Sequence, residues 1–171
     1  MSEAKTALRT TLRQARQELS PSQRAHETAA TVAALIPLLE DRALASYVAV
    51  RGELDLLDLH RQCWSKNRPV WLPRVVGQQL TWHPLRDPTH LRLGSFSIPE
   101  PDPNQVPAEP LPTSTVLLVP GVGFAATGLR LGQGAGFYDR FLQGFSGLSL
   151  GVGFACQRHD DLPREPHDHP V

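Results

Sequence analysis

Charge of one sign, metal-spaced cysteines and long apolar runs are all missing from this chain, and each absence removes a class of function. Lysine plus arginine number 17, as do aspartate plus glutamate. With no net charge the chain has no global attraction for nucleic acid or for an anionic membrane, so any anion must be recognised locally. The two cysteines, Cys63 and Cys156, stand far apart and match no metal or redox spacing, which suits a reduced compartment better than a disulfide scaffold. No apolar stretch approaches the roughly 18–20 residues of a membrane helix, and MSEAKTALRT carries no signal-peptide core. A soluble, cytoplasmic, monomeric protein is expected, without nucleic-acid or membrane partners. No Walker A sequence, no clean dinucleotide fingerprint and no Ser-His-acid or Cys-His arrangement stands out either. At 171 residues the chain is long enough for one domain with a real core and too short for two ordinary ones, so residues 1–171 are expected to form a single domain.

What is present is a glycine-rich stretch, VPGVGFAATGLRLGQGAGFYDRF, from Val119 to Phe141. Gly121, Gly123, Gly128, Gly132, Gly134 and Gly136 separate an apolar run from an aromatic, acidic and basic cluster. Such glycines let a backbone approach a ligand and turn its amides toward an anion, although tight turns alone also use them. Arg130 adds fixed positive charge, and Asp139 adds a carboxylate able to hold Mg²⁺ beside phosphates. The crowding of Arg130, the glycines, Tyr138, Asp139 and Arg140 favours a phosphate-binding loop.

The flanking pattern places that loop. Ala15, Leu8, Leu19 and Leu12 form one stripe of an N-terminal helix, with Lys5, Arg16, Arg9 and Arg13 beside it. That basic stripe is either a solvated face or a ligand for polyphosphate, for which Lys5 and Arg9 stand at i and i+4. Ser20-Pro21-Ser22-Gln23 reads as N-cap, first-turn proline and capping-box glutamine of a second helix, limited near its end by Pro37. A strand over 43–50 precedes a helix over 54–66; strands over 69–75 and 80–85 flank Gly77-Gln78 as a hairpin. Six of the sixteen prolines fall between Pro99 and Pro112, so that segment is an extended surface crossing. TVLLVP (115–120) and LSLGVGF (148–154) read as buried parallel strands, with a helix carrying Tyr138, Phe141 and Leu142 between them. The expected fold is α/β: an open, mixed, mainly parallel sheet with helices on both faces, a three-layer α/β/α arrangement preceded by an N-terminal helical pair. Ligands bind such sheets beyond the carboxyl ends of the strands, where the loop after Pro120 lies.

Glu53 follows the first strand and can accept N–H groups of a heterocycle there, or can be a helix-start acid. Phe96 can stack on a flat ring or fill a core. The tail QRHDDLPREPHDHPV offers His159, His167 and His169 without the cysteines or second histidine pair of a zinc site, whereas Asp168 suits Mg²⁺ beside substrate phosphates.

The chain resembles the 5-formyltetrahydrofolate cyclo-ligase family nearly end to end. The resemblance runs through Lys5 to Arg9, the Tyr47–Glu53 segment, Leu72-Pro73-Arg74, Phe96-Ser97-Ile98-Pro99-Glu100-Pro101, VPGVGF and above all RLGQGAGFYDR. It implies an enzyme that uses ATP and Mg²⁺ to convert 5-formyltetrahydrofolate, with or without a polyglutamate tail, to 5,10-methenyltetrahydrofolate, releasing ADP and phosphate after phosphorylation of the formyl oxygen. It implies Arg130 and Tyr138 as catalytic residues; Lys5, Arg9, Arg130, Gly132, Gly134, Gly136, Phe137 and Tyr138 around ATP; and Asp139 and Asp168 on Mg²⁺. For the folate it implies Val48, Glu53 and Phe96, with Gln133, Gly134, Ala135, Gly136 and Phe137 between the two substrates. Three departures accompany it: Ala125 where the family carries an acid, Phe137 where it carries tyrosine, and an end at Val171 where the family continues into another strand, which implies a frayed Asp168. A non-catalytic nucleotide- or folate-binding relative is the alternative, and a sugar-phosphate isomerase on a related sheet a more distant one.

Overall fold

The computed structural model describes residues 3–166 and 168–171. Two helices open the chain, α1 (Glu3–Gln17) and α2 (Pro21–Leu35). The expected cap is present: Ser20 accepts from Gln23 N while the Gln23 side chain accepts from Ser20 N, so two orphan amides of the first turn are satisfied. A short 3₁₀ turn (Ile36–Leu39), entered through Pro37, ends α2.

The main sheet has the order β3-β2-β1-β6-β9, built from β1 (Ala43–Ala45), β2 (Val70–Val76), β3 (Gln79–Leu85), β6 (Thr115–Pro120) and β9 (Leu148–Val152). All neighbours pair in parallel except the β2–β3 hairpin, whose turn is made by Gly77 at φ 60°. Between β3 and β6 come β4 (Leu91–Leu93) and β5 (Pro99–Pro101), paired antiparallel. β7 (Gly123–Ala125), β8 (Arg130–Leu131) and β10 (Arg158–His159) make a separate three-stranded sheet. Proline thus interrupts regular structure over most of 99–112 but still admits β5 as a short edge strand.

β6 explains why its sequence is apolar without alternation. Val116 and Leu118 pack with Val32 and Leu35 of α2 and with Leu59 and Cys63 of α3 (Leu57–Ser65), whereas Leu117 and Val119 pack with Leu142 of α4 (Phe137–Leu142). Both faces are covered, as a doubly wound sheet demands. The expected strand over 43–50 is regular only over 43–45; beyond it the chain leaves the sheet toward a turn at Arg51 (φ 52°) and Gly52 (φ 76°). The following helix starts at Leu57 rather than 54, where Asp55 Oδ1 accepts from Leu57 N at 2.9 Å. Sequence periodicity continues through both corrected segments, because buried loop residues Tyr47, Leu54 and Leu56 belong to the same core.

The interior also holds a buried imidazole beside a hydroxyl. His60 Nε2 lies 2.8 Å from Ser46 Oγ, and burial lowers the His60 pKa from 6.5 to about 4. The folded state therefore keeps His60 neutral while the unfolded chain protonates it, so its stability contribution is present above pH 6.5 and is lost as pH falls toward 4. Urea midpoints are expected to drop across that interval, and His60→Asn is expected to make the drop shallower; an unchanged slope would remove His60 from the acid response.

Candidate active site

β1 and β6 lie side by side at the centre of the sheet, and their onward connections go to opposite sides. This is the switch point at which an open α/β sheet forms a crevice. A cleft of about 320 Å³ occupies it. One wall is the turn after β1, including Val48, Arg51 and Glu53; the other is Arg130 and the loop from Gly132 to Tyr138. Pro73, Val75 and Leu80 of the β2–β3 hairpin and the 96–100 segment complete it. Eleven residues singled out from the sequence meet here: Val48, Glu53, Phe96, Arg130, Gly132, Gln133, Gly134, Ala135, Gly136, Phe137 and Tyr138.

Arg130 is almost wholly covered, its side chain 4% exposed. Nη2 donates to Asp139 Oδ1 at 2.8 Å and Nη1 to Pro120 O at 3.3 Å, while Nε is buried without a partner among the described residues. Its guanidinium carbon stands 5.6 Å from the Tyr138 ring centre, a cation–π contact that fixes its plane. Gly132 permits this placement, because a Cβ there would lie 2.6 Å from Arg130 Nη1. Gly136 enters α4 at φ 71°, in left-handed backbone where a side chain is strained. Burial, then the charge of Glu53, raises the Tyr138 phenol, which remains an O–H donor at neutral pH.

On the facing wall Glu53 Oε2 accepts from Val50 N at 3.2 Å and Oε1 from Gln133 Nε2 at 3.3 Å. Burial raises its pKa, opposed by those two hydrogen bonds and by Arg16 and Arg51. Gln133 in turn accepts from Arg13 Nη2 at 2.6 Å. The two walls are therefore joined through one amide side chain. Phe96, at φ 58°, is 61% exposed at the lip, its ring edge-on to Phe137 at 6.2 Å. Of its two readings, the core aromatic is excluded by that exposure.

The basic stripe of α1 faces inward. Lys5, Arg9 and Arg16 are buried with Leu12, whereas Leu8 and Ala15 are only partly covered. Of the two readings of this stripe, the solvated face does not hold for Lys5, Arg9 and Arg16, because the neighbouring surface consists of backbone carbonyls and carboxylates, which cations satisfy. Arg9 Nε donates to Gly132 O at 2.8 Å, placing α1 beneath the glycine loop. Lys5 Nζ donates to Asp168 Oδ2 at 2.6 Å and Glu165 Oε2 at 2.8 Å. Burial opposes the Lys5 charge, but those carboxylates outweigh it and its pKa is raised. Lys5, Arg9, Asp139 and Asp168 thus surround the cleft without lining it.

Asp168 is not frayed. Its carboxylate holds Lys5 and accepts from Glu165 N, and Val171 N donates to Gly128 O at 2.9 Å, which ties the segment to the glycine-rich turn. Ala125, the departure in that turn, is buried against Leu12, Val122 and Leu131, and its N–H donates to Leu129 O at 2.9 Å. The turn closes without an acid at that position. Among the described residues no three His, Cys, Asp or Glu side chains form a metal cluster; His167 lies outside the described residues. Ser46 and His60 are buried in the core and do not line the cleft, so they offer no nucleophile there.

From the sequence, Arg16 and Arg13 stand only on the basic stripe, and neither Arg51 nor the apolar hairpin side of the cleft is assigned to the site. Their signal was present in the inward stripe and in Pro73, but only the tertiary fold brings these residues to one place.

Comparison with known proteins agrees with this architecture. The family model described as the 5-formyltetrahydrofolate cyclo-ligase family matches residues 1–171. A protein of Haemophilus influenzae named 5-formyltetrahydrofolate cyclo-ligase is 32% identical, covering 96% of this chain and 92% of that protein. Its namesake in Escherichia coli K12 is 33% identical over 94% of this chain and 93% of its own length. The solved structure of Aquifex aeolicus 5,10-methenyltetrahydrofolate synthetase superposes with a TM-score of 0.79 at 32% identity, covering 98% of this chain and 86% of that one. A synthetase of the same name from Mycoplasma pneumoniae, 23% identical, shares the fold with a TM-score of 0.71, covering 98% and 94% of the two chains. A cleft at the switch point, walled by a glycine loop with a buried arginine and by a carboxylate turn, sits in a chain matched from end to end: this protein belongs to the 5-formyltetrahydrofolate cyclo-ligase family.

Proposed function

We propose that the chain works as a single domain that cyclises 5-formyltetrahydrofolate to 5,10-methenyltetrahydrofolate, consuming ATP with Mg²⁺ and releasing ADP and phosphate. The observation that carries this reading is the pairing across one cleft of a buried guanidinium, Arg130, with a half-buried carboxylate, Glu53. One suits a transferring phosphoryl group, the other the N–H edge of a pterin.

In the proposed sequence the γ-phosphoryl group leaves the ADP oxygen and bonds to the formyl oxygen of the folate. The N10 lone pair then attacks the formyl carbon, N10 loses its proton, and the carbon–oxygen bond breaks as phosphate departs. No protein nucleophile is required, and positioning plus charge stabilisation carry the catalysis. Arg130 offers its guanidinium to the phosphoryl oxygens, held in plane by Tyr138 and Asp139. The amides of Gly132 to Phe137 approach the nucleotide, with Arg9 supporting the loop from beneath. Glu53 and Val48 hold the pterin, Gln133 spans the junction, and Phe96 covers the folate at the lip.

The donor set fits Mg²⁺, which needs only one or two carboxylates when phosphates and waters complete its shell. Among the described residues Asp139 accepts through Oδ1 from Arg130 and retains acceptor capacity on Oδ2; Asp168 has both oxygens on Lys5. Asp139 is therefore the ligand, with Asp168 contributing through Lys5. When bound with the nucleotide, the ion would supply charge neutralisation for the transferring phosphoryl group.

Purified protein given ATP, Mg²⁺ and 5-formyltetrahydrofolate is expected to generate methenyl absorbance and ADP in equal amounts. Folate and nucleotide binding without product would instead identify a non-catalytic relative.

A further inference from the structure

Arg16 is 2% exposed, yet two of its three nitrogens, Nε and Nη1, have no hydrogen-bond partner among the described residues. Such an arginine is a poor stabiliser, since an apolar side chain of similar size often serves a buried site as well or better. Its third nitrogen, Nη2, donates to Arg51 O at 2.7 Å. Arg51 is a non-glycine residue at φ 52°, a backbone state that persists only where the surroundings hold it. Arg24 makes a second hold: Nη1 donates to Gly52 O at 3.1 Å, and Nη2 donates to Arg16 O. The turn so gripped is the one that carries Glu53, whose N–H donates to Val50 O at 3.0 Å.

We infer that Arg16 is a positioning residue for the folate side of the cleft: it clamps the Val50–Glu53 turn through Arg51 O and sets its charge beneath the Glu53 carboxylate, touching neither substrate. The inference rests on the proposed role of Glu53 toward the pterin. Arg16 itself does not line the cleft. The charged and titratable groups around Glu53 are Arg16 from α1, Arg51 from its own turn, Tyr47 from the segment after β1 and Tyr138 from α4; Gln133 links it to Arg13. Arg16 and Arg51 are the cations that oppose the effect of burial on Glu53. The geometry and the charge thus act on the same group.

The test compares wild type with Arg16→Met, Arg16→Lys, Arg24→Ala, Glu53→Gln and the Arg16→Met/Glu53→Gln double variant, measuring KM for each substrate, urea midpoint and the pH profile. Loss of one charge-assisted hydrogen bond predicts a rise of about tenfold or more in the 5-formyltetrahydrofolate KM of Arg16→Met. Its ATP KM should move by less than about twofold and its urea midpoint should not fall. The acid limb of kcat/KM for the folate should move to higher pH, because Glu53 then protonates more readily. Arg16→Lys should restore that limb while leaving part of the KM defect, since an ammonium keeps the charge but lacks the guanidinium fork. The double variant should be no worse than Glu53→Gln alone, as expected for residues acting as one unit. Should Arg16→Met not fold, Arg16→Lys and Arg24→Ala carry the test through a selective rise in folate KM. Folate KM unchanged in the Arg16 and Arg24 variants while Glu53→Gln raises it would overturn the inference and leave the Glu53 assignment standing. Equal rises in both KM values with a lowered urea midpoint would also overturn it, as a merely structural role. An unaltered Glu53→Gln variant would overturn the Glu53 assignment itself, and the inference with it.

Discussion

Arg130→Ala is expected to lower kcat/KM for the cyclisation by about 10³-fold or more, the scale on which arginines act in phosphoryl transfer. Three features concentrate that loss in the transition state. The side chain is 4% exposed, so its charge acts with little screening; its position is fixed on both sides by Asp139 and Tyr138; and Gly132 makes room for its terminal nitrogen at the cleft. Charge that develops on a transferring phosphoryl group meets a donor that needs no reorganisation. Arg130→Lys is expected to recover only a small part, because the three donors of an ammonium radiate from one nitrogen and cannot reproduce the planar fork that spans Asp139 and Pro120 O. The Ala variant also leaves Asp139 without its cation, so a moderate drop in stability accompanies the loss, and circular dichroism separates the two. A folded Arg130→Ala protein with activity within about tenfold of wild type would contradict the assignment.

The second large effect distinguishes the two aspartates. Asp139→Asn keeps an oxygen for Arg130 Nη2 but removes the negative charge, and is expected to raise the Mg²⁺ concentration for half-maximal rate on the order of 100-fold, as loss of several kcal/mol of metal interaction implies. Asp168→Asn acts elsewhere. It weakens the hold on Lys5 and is expected to cost about 1–3 kcal/mol of stability, with a much smaller change in Mg²⁺ requirement. Magnesium titrations of initial rate and urea denaturation of both variants give the comparison. Equal shifts in Mg²⁺ requirement would instead make Asp168 a direct ligand and would require Lys5 to release it.

Local chemistry was legible where it was self-sufficient. Ser20 and Gln23 cap α2 with atoms three residues apart, and TVLLVP is apolar throughout because both its faces are covered. The loop from Arg130 to Asp139 was legible because glycines, a cation and an acid have few joint uses. The inward face of α1 was not legible, since a helix periodicity reports which residues share a side and not what that side meets. Here it meets the carbonyls of Gly132 and Arg51 and the carboxylates of Glu165 and Asp168, which turns an apparently solvated basic stripe into a buried one. The early end of β1 was hidden for a related reason. Tyr47, Leu54 and Leu56 stay buried after the strand stops, so apolar content persists without strand geometry.

Transfer of a phosphoryl group to the formyl oxygen before the ring closes leaves an isotopic record when the substrate is 5-formyltetrahydrofolate carrying ¹⁸O in the formyl group. Mass analysis of the released phosphate is expected to find the label there, one atom per methenyl product formed. Unlabelled phosphate, with the ¹⁸O recovered in water, would contradict it.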